Sequence, residues 1–268
     1  QGTYLDYMFQ TPTTRVWKQL FDSGKLDAAQ SFFWKTKPAE ELYDIEADPY
    51  QIENLTDSTD HQATLERLRD ATKQWMLRIK DLGLLPEGQV LELAGTDAPY
   101  TMGHDEERYP IEKIYPVADL ATRPTEGDLN ELAKRQVDPN PAVRYWVACG
   151  LLLRAQENQD REKAVKMASG MAVDPSPYVR SMACETVARF GKPTDRTLAL
   201  DALLNMSDPR ANNTFVALAA LNSLDWCEPT PAEIGARLQG LPAKEPNLSK
   251  RYESYIPRLI ERIESRAY

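Results

Sequence analysis

The feature that most constrains the fold is a repeat in the second half of the chain. A segment that begins with Asp138-Pro139 recurs at Asp174-Pro175 and at Asp208-Pro209, at spacings of 36 and 34 residues. Apolar stretches with helical periodicity precede and follow each Asp-Pro pair, which predicts a unit of helix, turn, helix. Proline ends the first helix because it lacks an N–H and restricts the residue before it. A helix pair this short cannot bury its apolar face alone, so the units are expected to stack.

The repeated units resemble HEAT repeats. The resemblance lies in the Asp-Pro turn and in a Val-Arg pair that follows it. The matching positions are Asp138 and Arg144 in the first unit and Asp174 and Arg180 in the second. In that family the Asp and Arg side chains form an internal polar ladder. The third unit has Asp208 but carries Thr214 in the Arg position. The resemblance therefore implies a structural role for these residues, which we prefer to anion binding for the arginines.

The first 95 residues show different patterns. The aromatic run within 31–37 and the alternating polar and apolar residues of 41–45 are typical of strands. Residues 61–80 show helical periodicity, with one apolar stripe that consists of Leu65, Leu68, Trp75, Met76 and Ile79. Such a helix is expected to lie on a sheet. The sequence thus predicts a small α+β subdomain with a short antiparallel sheet and a long packed helix.

The predicted organisation has three parts. Residues 1–95 form the α+β subdomain, residues 96–124 form an extended connector rich in Pro and Tyr, and residues 125–268 form HEAT-like helical repeats. The expected fold class is mainly α, a HEAT-like α-solenoid preceded by the α+β subdomain. A charged helix over 252–267 is expected to cap the array.

The stretch from Pro38 to Leu55, which reads PAEELYDIEADPYQIENL, resembles the C-terminal signature of bacterial sulfatases. The resemblance covers residues 1–95 strongly and 99–102 more weakly. Members of that family hydrolyse sulfate esters or sulfamates, often on carbohydrates. They use a formylglycine made from the Cys or Ser of a C/S-x-P-x-R motif, together with a calcium ion. The resemblance implies that both groups belong to a catalytic domain upstream of these residues in the same polypeptide.

No catalytic or metal-ligating residues are assigned within the chain itself. Cys227-Glu228-Pro229 begins like the formylglycine motif, but Pro231 stands where Arg is required. The two histidines are His61 and His104. Exposed loop histidine is the preferred interpretation of His104, although Tyr100 and His104 are kept as candidate binding residues.

The composition of the chain limits the kinds of ligand and partner that we expect. The formal net charge of −9 disfavours generic nucleic-acid binding. The three cysteines lie in apolar helical stretches, far apart and without a CxxC motif, so they predict buried hydrophobes and no zinc site. No apolar run reaches the length needed to cross a membrane. The chain lacks an initiator Met and a signal peptide, so we expect it to begin within a longer polypeptide.

Three functional hypotheses follow. The leading one is the C-terminal part of a sulfatase whose repeat array docks or presents substrate, with sulfated carbohydrate or a protein as partner and a periplasmic or extracellular location implied by the family. The second is a non-catalytic HEAT-like interaction scaffold. The third, which no residue specifically favours, is a regulatory subunit of another hydrolase.

Overall fold

The computed structural model describes residues 6–123, 128–158, 160–245, 249–250 and 252–265. Within these residues every regular element is a helix, and no strand is present. The chain divides into two compact units with a break between Ile79 and Lys80. The described part of the first unit has four α-helices: α1 (Asp6–Phe9), α2 (Pro12–Asp22), α3 (Ala28–Ser31) and α4 (Gln62–Ile79).

The second unit contains the remaining helices. Its early part has α5 (Glu87–Ala94), α6 (Pro99–Gly103) and α7 (Ile111–Thr122). The array that follows consists of α8 (Asp128–Arg135), α9 (Pro141–Gln156), α10 (Arg161–Met171), α11 (Pro177–Phe190), α12 (Pro193–Met206), α13 (Thr214–Cys227), α14 (Pro231–Gln239) and α15 (Tyr255–Ser265). Helices α7, α9, α11, α13 and α15 pack in sequence as one layer, and α8, α10, α12 and α14 pack against them as a second layer. This confirms the predicted helical repeats.

The first unit corrects the predicted fold class, because the expected sheet is not there in the residues described. Phe32–Trp34 forms a short 3-10 turn, and its rings pack in an aromatic cluster whose Trp17 and Phe33 centroids are 5.1 Å apart. Residues 41–45 have no regular structure until a turn begins at Ile45. Between the described residues of the two arms of this loop, one backbone hydrogen bond forms, from Leu55 N to Leu42 O at 2.8 Å.

Polar side chains of the loop accept hydrogen bonds from the backbone N–H groups that a β-ladder would need. Asp44 Oδ1 accepts from the N–H groups of residues 46 and 47, and Asp48 Oδ2 accepts from those of residues 52 and 53. The Asn54 amide oxygen accepts from Leu42 N at 2.9 Å. Asp and Asn compete with regular structure in this way because their short side chains reach nearby backbone. The strand predicted from the alternation of residue types is therefore wrong.

The structure confirms the long predicted helix but not its expected surroundings. Leu65 is buried, whereas Leu68, Trp75 and Ile79 are 41%, 53% and 41% exposed. Since no sheet lies beneath α4 in the described residues, its apolar stripe is largely uncovered. Glu40 and Arg69 form a two-bond ion pair at 2.5 and 2.6 Å that joins the loop to this helix.

The stretch 96–124, for which an extended connector is expected, carries the helices α6 and α7. Pro99 lies in the first turn of α6, where its missing N–H breaks no bond. Pro116 lies inside α7, which still buries Ile114, Val117 and other apolar residues. Packing of α7 against α9 thus outweighs the cost of an interior proline.

A segment that we call the strap (residues 82–94) is bonded to three inner helices of the array or to the residue just before one. Trp146 Nε1 of α9 donates to Leu84 O at 2.8 Å. Glu92 accepts from the Tyr178 hydroxyl of α11 at 3.2 Å and from the Asn213 amide just before α13 at 2.8 Å. One chain segment is therefore hydrogen-bonded to three repeats.

Gly88 lets the strap approach the array. A Cβ at this position would lie 2.0 Å from the Tyr178 hydroxyl oxygen and 2.5 Å from Phe215 Cβ. Neither distance is compatible with a real carbon contact, so the backbone of α5 can lie this close only without a side chain.

We predict that Gly88→Ala lowers the free energy of unfolding of the second unit by about 1–3 kcal/mol, because overpacking displaces the strap. Urea denaturation followed by circular dichroism measures this change. Gly170→Ala is the matched control, since a Cβ there would meet Gln136 Nε2 at an ordinary contact distance of 3.5 Å, and Ala favours a helix. Equal stabilities of the two variants would contradict the role of Gly88.

Candidate functional site

The Asp-Pro turns of the repeats share one local design. The carboxylates of Asp138, Asp174 and Asp208 each accept from the backbone N–H two residues later, at 2.8 Å in all three turns. This bond stabilises the turn between the two helices of a repeat. Pro141 and Pro177 lie in the first turn of α9 and α11 as the spacing predicts.

The two arginines of the predicted ladder differ in what they join. Arg144 donates to the carbonyl of Asp138 at 2.7 Å and to both carboxylate oxygens of Asp174 in the next repeat at 2.7 and 2.9 Å. Arg180 donates to the carbonyls of Asp174 and Pro175 in its own repeat. Among the described residues, the carboxylate of Asp208 is paired instead with Arg210 at 2.8 Å.

The Arg144–Asp174 pair is a structural link between repeats. The two side chains are 11% and 7% exposed, and the hydrogen bonds from Arg144 to Asp174 raise the pKa of the arginine. Because Nε, Nη1 and Nη2 of Arg144 all donate to oxygens of the protein, the guanidinium has little capacity left for an external anion.

We predict that Arg144→Ala destabilises the second unit by about 3–5 kcal/mol, because it leaves the carboxylate of Asp174 buried without its cation. Arg180→Ala should cost less, roughly 1–2 kcal/mol, since it removes hydrogen bonds to carbonyls without breaking an ion pair between repeats. Thermal and urea denaturation of both variants tests this order. A larger loss for Arg180→Ala would refute it.

The candidate binding residues Tyr100 and His104 lie together at α6. Their ring centroids are 4.2 Å apart, and His104 Nδ1 lies 2.8 Å from the backbone carbonyl oxygen of Tyr100. Tyr100 is 73% exposed. The structure thus holds the imidazole against its own helix, and a ligand role for this pair stays a prediction.

The Cys227–Pro231 segment connects α13 to α14 inside the array. Cys227 is buried at the last position of α13, and burial raises the pKa of its thiol well above the ordinary value. The next turn is held by Glu233, whose pKa is lowered to about 2 by bonds from Arg196 and Thr230. A buried, protonated thiol at a helix end is unsuited to nucleophilic chemistry.

A polar cluster centred on Glu185 is not indicated by any motif of the sequence. Glu185 of α11 is 3% exposed and accepts from Arg189 at 2.8 Å and from the Ser223 hydroxyl of α13 at 3.0 Å. Burial raises the pKa of this carboxyl, although Arg189 and Ser223 oppose the shift. On the neighbouring α9, Cys149 also has its pKa raised by burial, to about 12. Ser223 thus joins α13 to Glu185 of α11, and Arg189 also donates to the Gln156 amide oxygen of α9 at 3.3 Å.

We predict that the Glu185 carboxyl makes stability fall as pH rises above its unfolded pKa of about 4.3. Its folded pKa is higher, so between the two values the native state binds more protons than the unfolded state, and rising pH favours unfolding. The free energy of unfolding of Glu185→Gln relative to the unsubstituted protein should therefore increase from about pH 4 towards neutral pH. Denaturation at several pH values measures this difference.

A flat difference for Glu185→Gln over the same range would contradict the assignment.

Two further geometric findings bear on possible ligands. Within the residues described, no group of three or more His, Cys, Asp and Glu side chains is placed to hold a metal ion. In the same residues, no helix combines the length and the apolar character needed to cross a membrane.

Comparison with known proteins agrees with part of this organisation. Residues 129–224 match the family model described as HEAT repeats. A protein described as an ulvan-active sulfatase from Formosa agariphila is 36% identical over 94 residues. That match covers 34% of this chain and 16% of the sulfatase, so the chain spans a small fraction of that relative's length. No solved structure matches the chain. The chain therefore carries a region similar to HEAT repeats and a region similar to part of a sulfatase.

Proposed function

We propose that this chain is the C-terminal part of a sulfuric ester hydrolase that acts on sulfated carbohydrate, with the helical array as a docking or substrate-presenting module. The observation that carries the proposal is the similarity to a sulfatase over 94 residues, together with the signature between Pro38 and Leu55. The relative's named substrate, ulvan, suggests the carbohydrate class.

The contacts of the signature support a structural role for it. Asp44, Asp48 and Asn54 direct their side-chain oxygens to backbone N–H groups of the loop itself. Glu40 is paired with Arg69. These residues shape a loop and fix it to α4.

The uncovered apolar surface of the first unit supports its assembly with a further body. Leu68, Trp75 and Ile79 are exposed on one side of α4. A separate open groove of about 520 Å³ is formed by α2, the segment after it and α3. Its lining is mostly apolar and consists of Pro12, Thr13, Val16, Trp17, Leu20, Leu26 and Gln30. Apolar surface exposed in this way favours an interaction site. In our proposal the catalytic part of the hydrolase covers it.

The chemistry of the implied calcium and formylglycine is not assigned to this chain. The described side chains form no cluster suited to a metal ion, and the cysteine of the imperfect motif is buried with a raised pKa. In this proposal both groups belong to the catalytic part of the polypeptide, and no catalytic step is assigned to residues described here.

A non-catalytic interaction scaffold is the second candidate. The match of residues 129–224 to HEAT repeats favours it, because stacked helix pairs often present extended binding surfaces. Under this alternative the first unit carries no link to hydrolysis.

We predict that the 268-residue chain alone does not hydrolyse 4-nitrophenyl sulfate, whereas its gene encodes a C/S-x-P-x-R motif upstream of Gln1. A colorimetric assay of the purified chain and sequencing of the upstream gene test the two parts. Turnover that survives Cys227→Ala would contradict the assignment of catalysis to another region. A gene without the motif would favour the scaffold.

A further inference from the structure

Two arginines and two aromatic rings form a row at the ends of three helices of the array. Its members, in order, are Arg161, Phe190, Arg189 and Trp226. The Cζ atoms of Arg161 and Arg189 lie 5.2 and 5.0 Å from the centroid of the Phe190 ring, and Arg189 Cζ lies 5.7 Å from that of Trp226. The row thus alternates cation and ring across α10, α11 and α13.

We propose that this arginine–aromatic row binds a sulfated saccharide, with Arg161 on the sulfate group and Trp226 against the sugar ring. The inference rests on the proposed function for the class of substrate. It places the docking site of the array at this row.

The row is held in place by bonds within the protein. Arg161 Nε donates to the carbonyl of Ala155 at the end of α9, at 2.7 Å. Arg189 donates to the buried carboxylate of Glu185 at 2.8 Å and to the Gln156 amide oxygen at 3.3 Å. Both guanidinium groups are therefore oriented before a ligand arrives, which lowers the entropic cost of binding.

The two arginines differ in their charge balance. The carboxylate of Glu185 compensates the charge of Arg189 and holds its side chain in place, so we assign Arg189 no bond to the sulfate. Among the described residues, Arg161 forms no ion pair, and its hydrogen bond to Ala155 uses Nε and leaves the two terminal nitrogens to a ligand. Two parallel N–H groups of one guanidinium match two oxygens of a sulfate ester.

Trp226 supplies the surface for the sugar. Its side chain is 46% exposed although it lies on an inner helix of the array, and Arg189 lies over its ring. An indole presents a large rigid apolar area at low entropic cost, which suits the C–H face of a sugar ring.

The net charge of the whole chain disfavours some anionic ligands more than others. A net charge of −9 repels dense polyanions, so one uncompensated guanidinium favours an isolated sulfate ester over a nucleic acid. The row thus offers an anion contact at Arg161 and an apolar contact at Trp226, at its two ends, which suits a sulfated oligosaccharide.

The test is isothermal titration of the full 268-residue chain with a sulfated oligosaccharide, its desulfated counterpart, inorganic sulfate and a DNA duplex. We expect the sulfated sugar to bind about tenfold more tightly than the desulfated one, a difference of about 1.4 kcal/mol. Arg161→Ala should abolish that difference, and Trp226→Ala should weaken both sugars alike. Arg161→Lys, which keeps the charge but loses the paired N–H groups, should retain part of the preference.

Arg210→Ala is the matched control, because Arg210 lies at the surface of the same array but is paired with Asp208. Its affinities should equal those of the unsubstituted chain. Equal binding of the two sugars, binding unchanged by Arg161→Ala, or inorganic sulfate or DNA binding as tightly as the sulfated sugar would overturn the proposal. Circular dichroism of each variant separates loss of binding from loss of fold.

The outcome is distinguishable from that of the proposed function. Sugar binding by the isolated chain needs no hydrolysis, whereas the upstream motif reports on the enzyme. Sulfate-selective binding without an upstream motif would retain the row as a binding site and reject the sulfatase. An upstream motif without sulfate-selective binding would reject the row as a binding site and retain the sulfatase.

Discussion

The structure of the second unit depends on contact between successive inner helices. Each helix pair is too short to bury its own apolar face, so each uses the next pair as part of its core. Ala148, Ala183 and Ala217 are completely buried on α9, α11 and α13. Gly150 brings α9 against Leu132 and Ala121, where a Cβ would be 2.9 and 3.1 Å from them. Small residues at these points allow the helix backbones to pack closely, and the other contacts of the array follow from this.

Polar side chains then define the relation between neighbouring repeats. Apolar contacts are non-directional and would allow helices to slide, whereas hydrogen-bonded groups must meet particular partners. Arg144 reaches from one turn to the next at Asp174, and Ser223 donates to Glu185 between α11 and α13. Arg154, only 1% exposed, donates to backbone carbonyls at the end of α7. These buried bonds make the stacking specific to one register.

The same bonds connect the fold with the proposed binding function. Glu185 holds Arg189, and Arg189 lies over the rings of Phe190 and Trp226. The other arginine of the row, Arg161, is fixed by the end of the preceding helix. A surface for recognition is thus built on rigid helix ends, which orients its groups more accurately than a loop would. The first unit contributes differently, through apolar surface that the described residues leave uncovered.

Local sequence patterns were enough to predict the helix pairs, their Asp-Pro turns and the long helix of the first unit, because periodicity, proline and turn chemistry act over a few neighbouring residues. They also indicated the resemblance to HEAT repeats. They could not reveal the absence of a strand at residues 41–45, since alternation does not show that Asp44, Asp48 and Asn54 take the backbone N–H groups. The strap, the Glu185 cluster and the arginine–aromatic row arise from tertiary packing. Their partners are often more than 30 residues apart in the chain, and stacking of the helices is what brings such side chains within bonding distance.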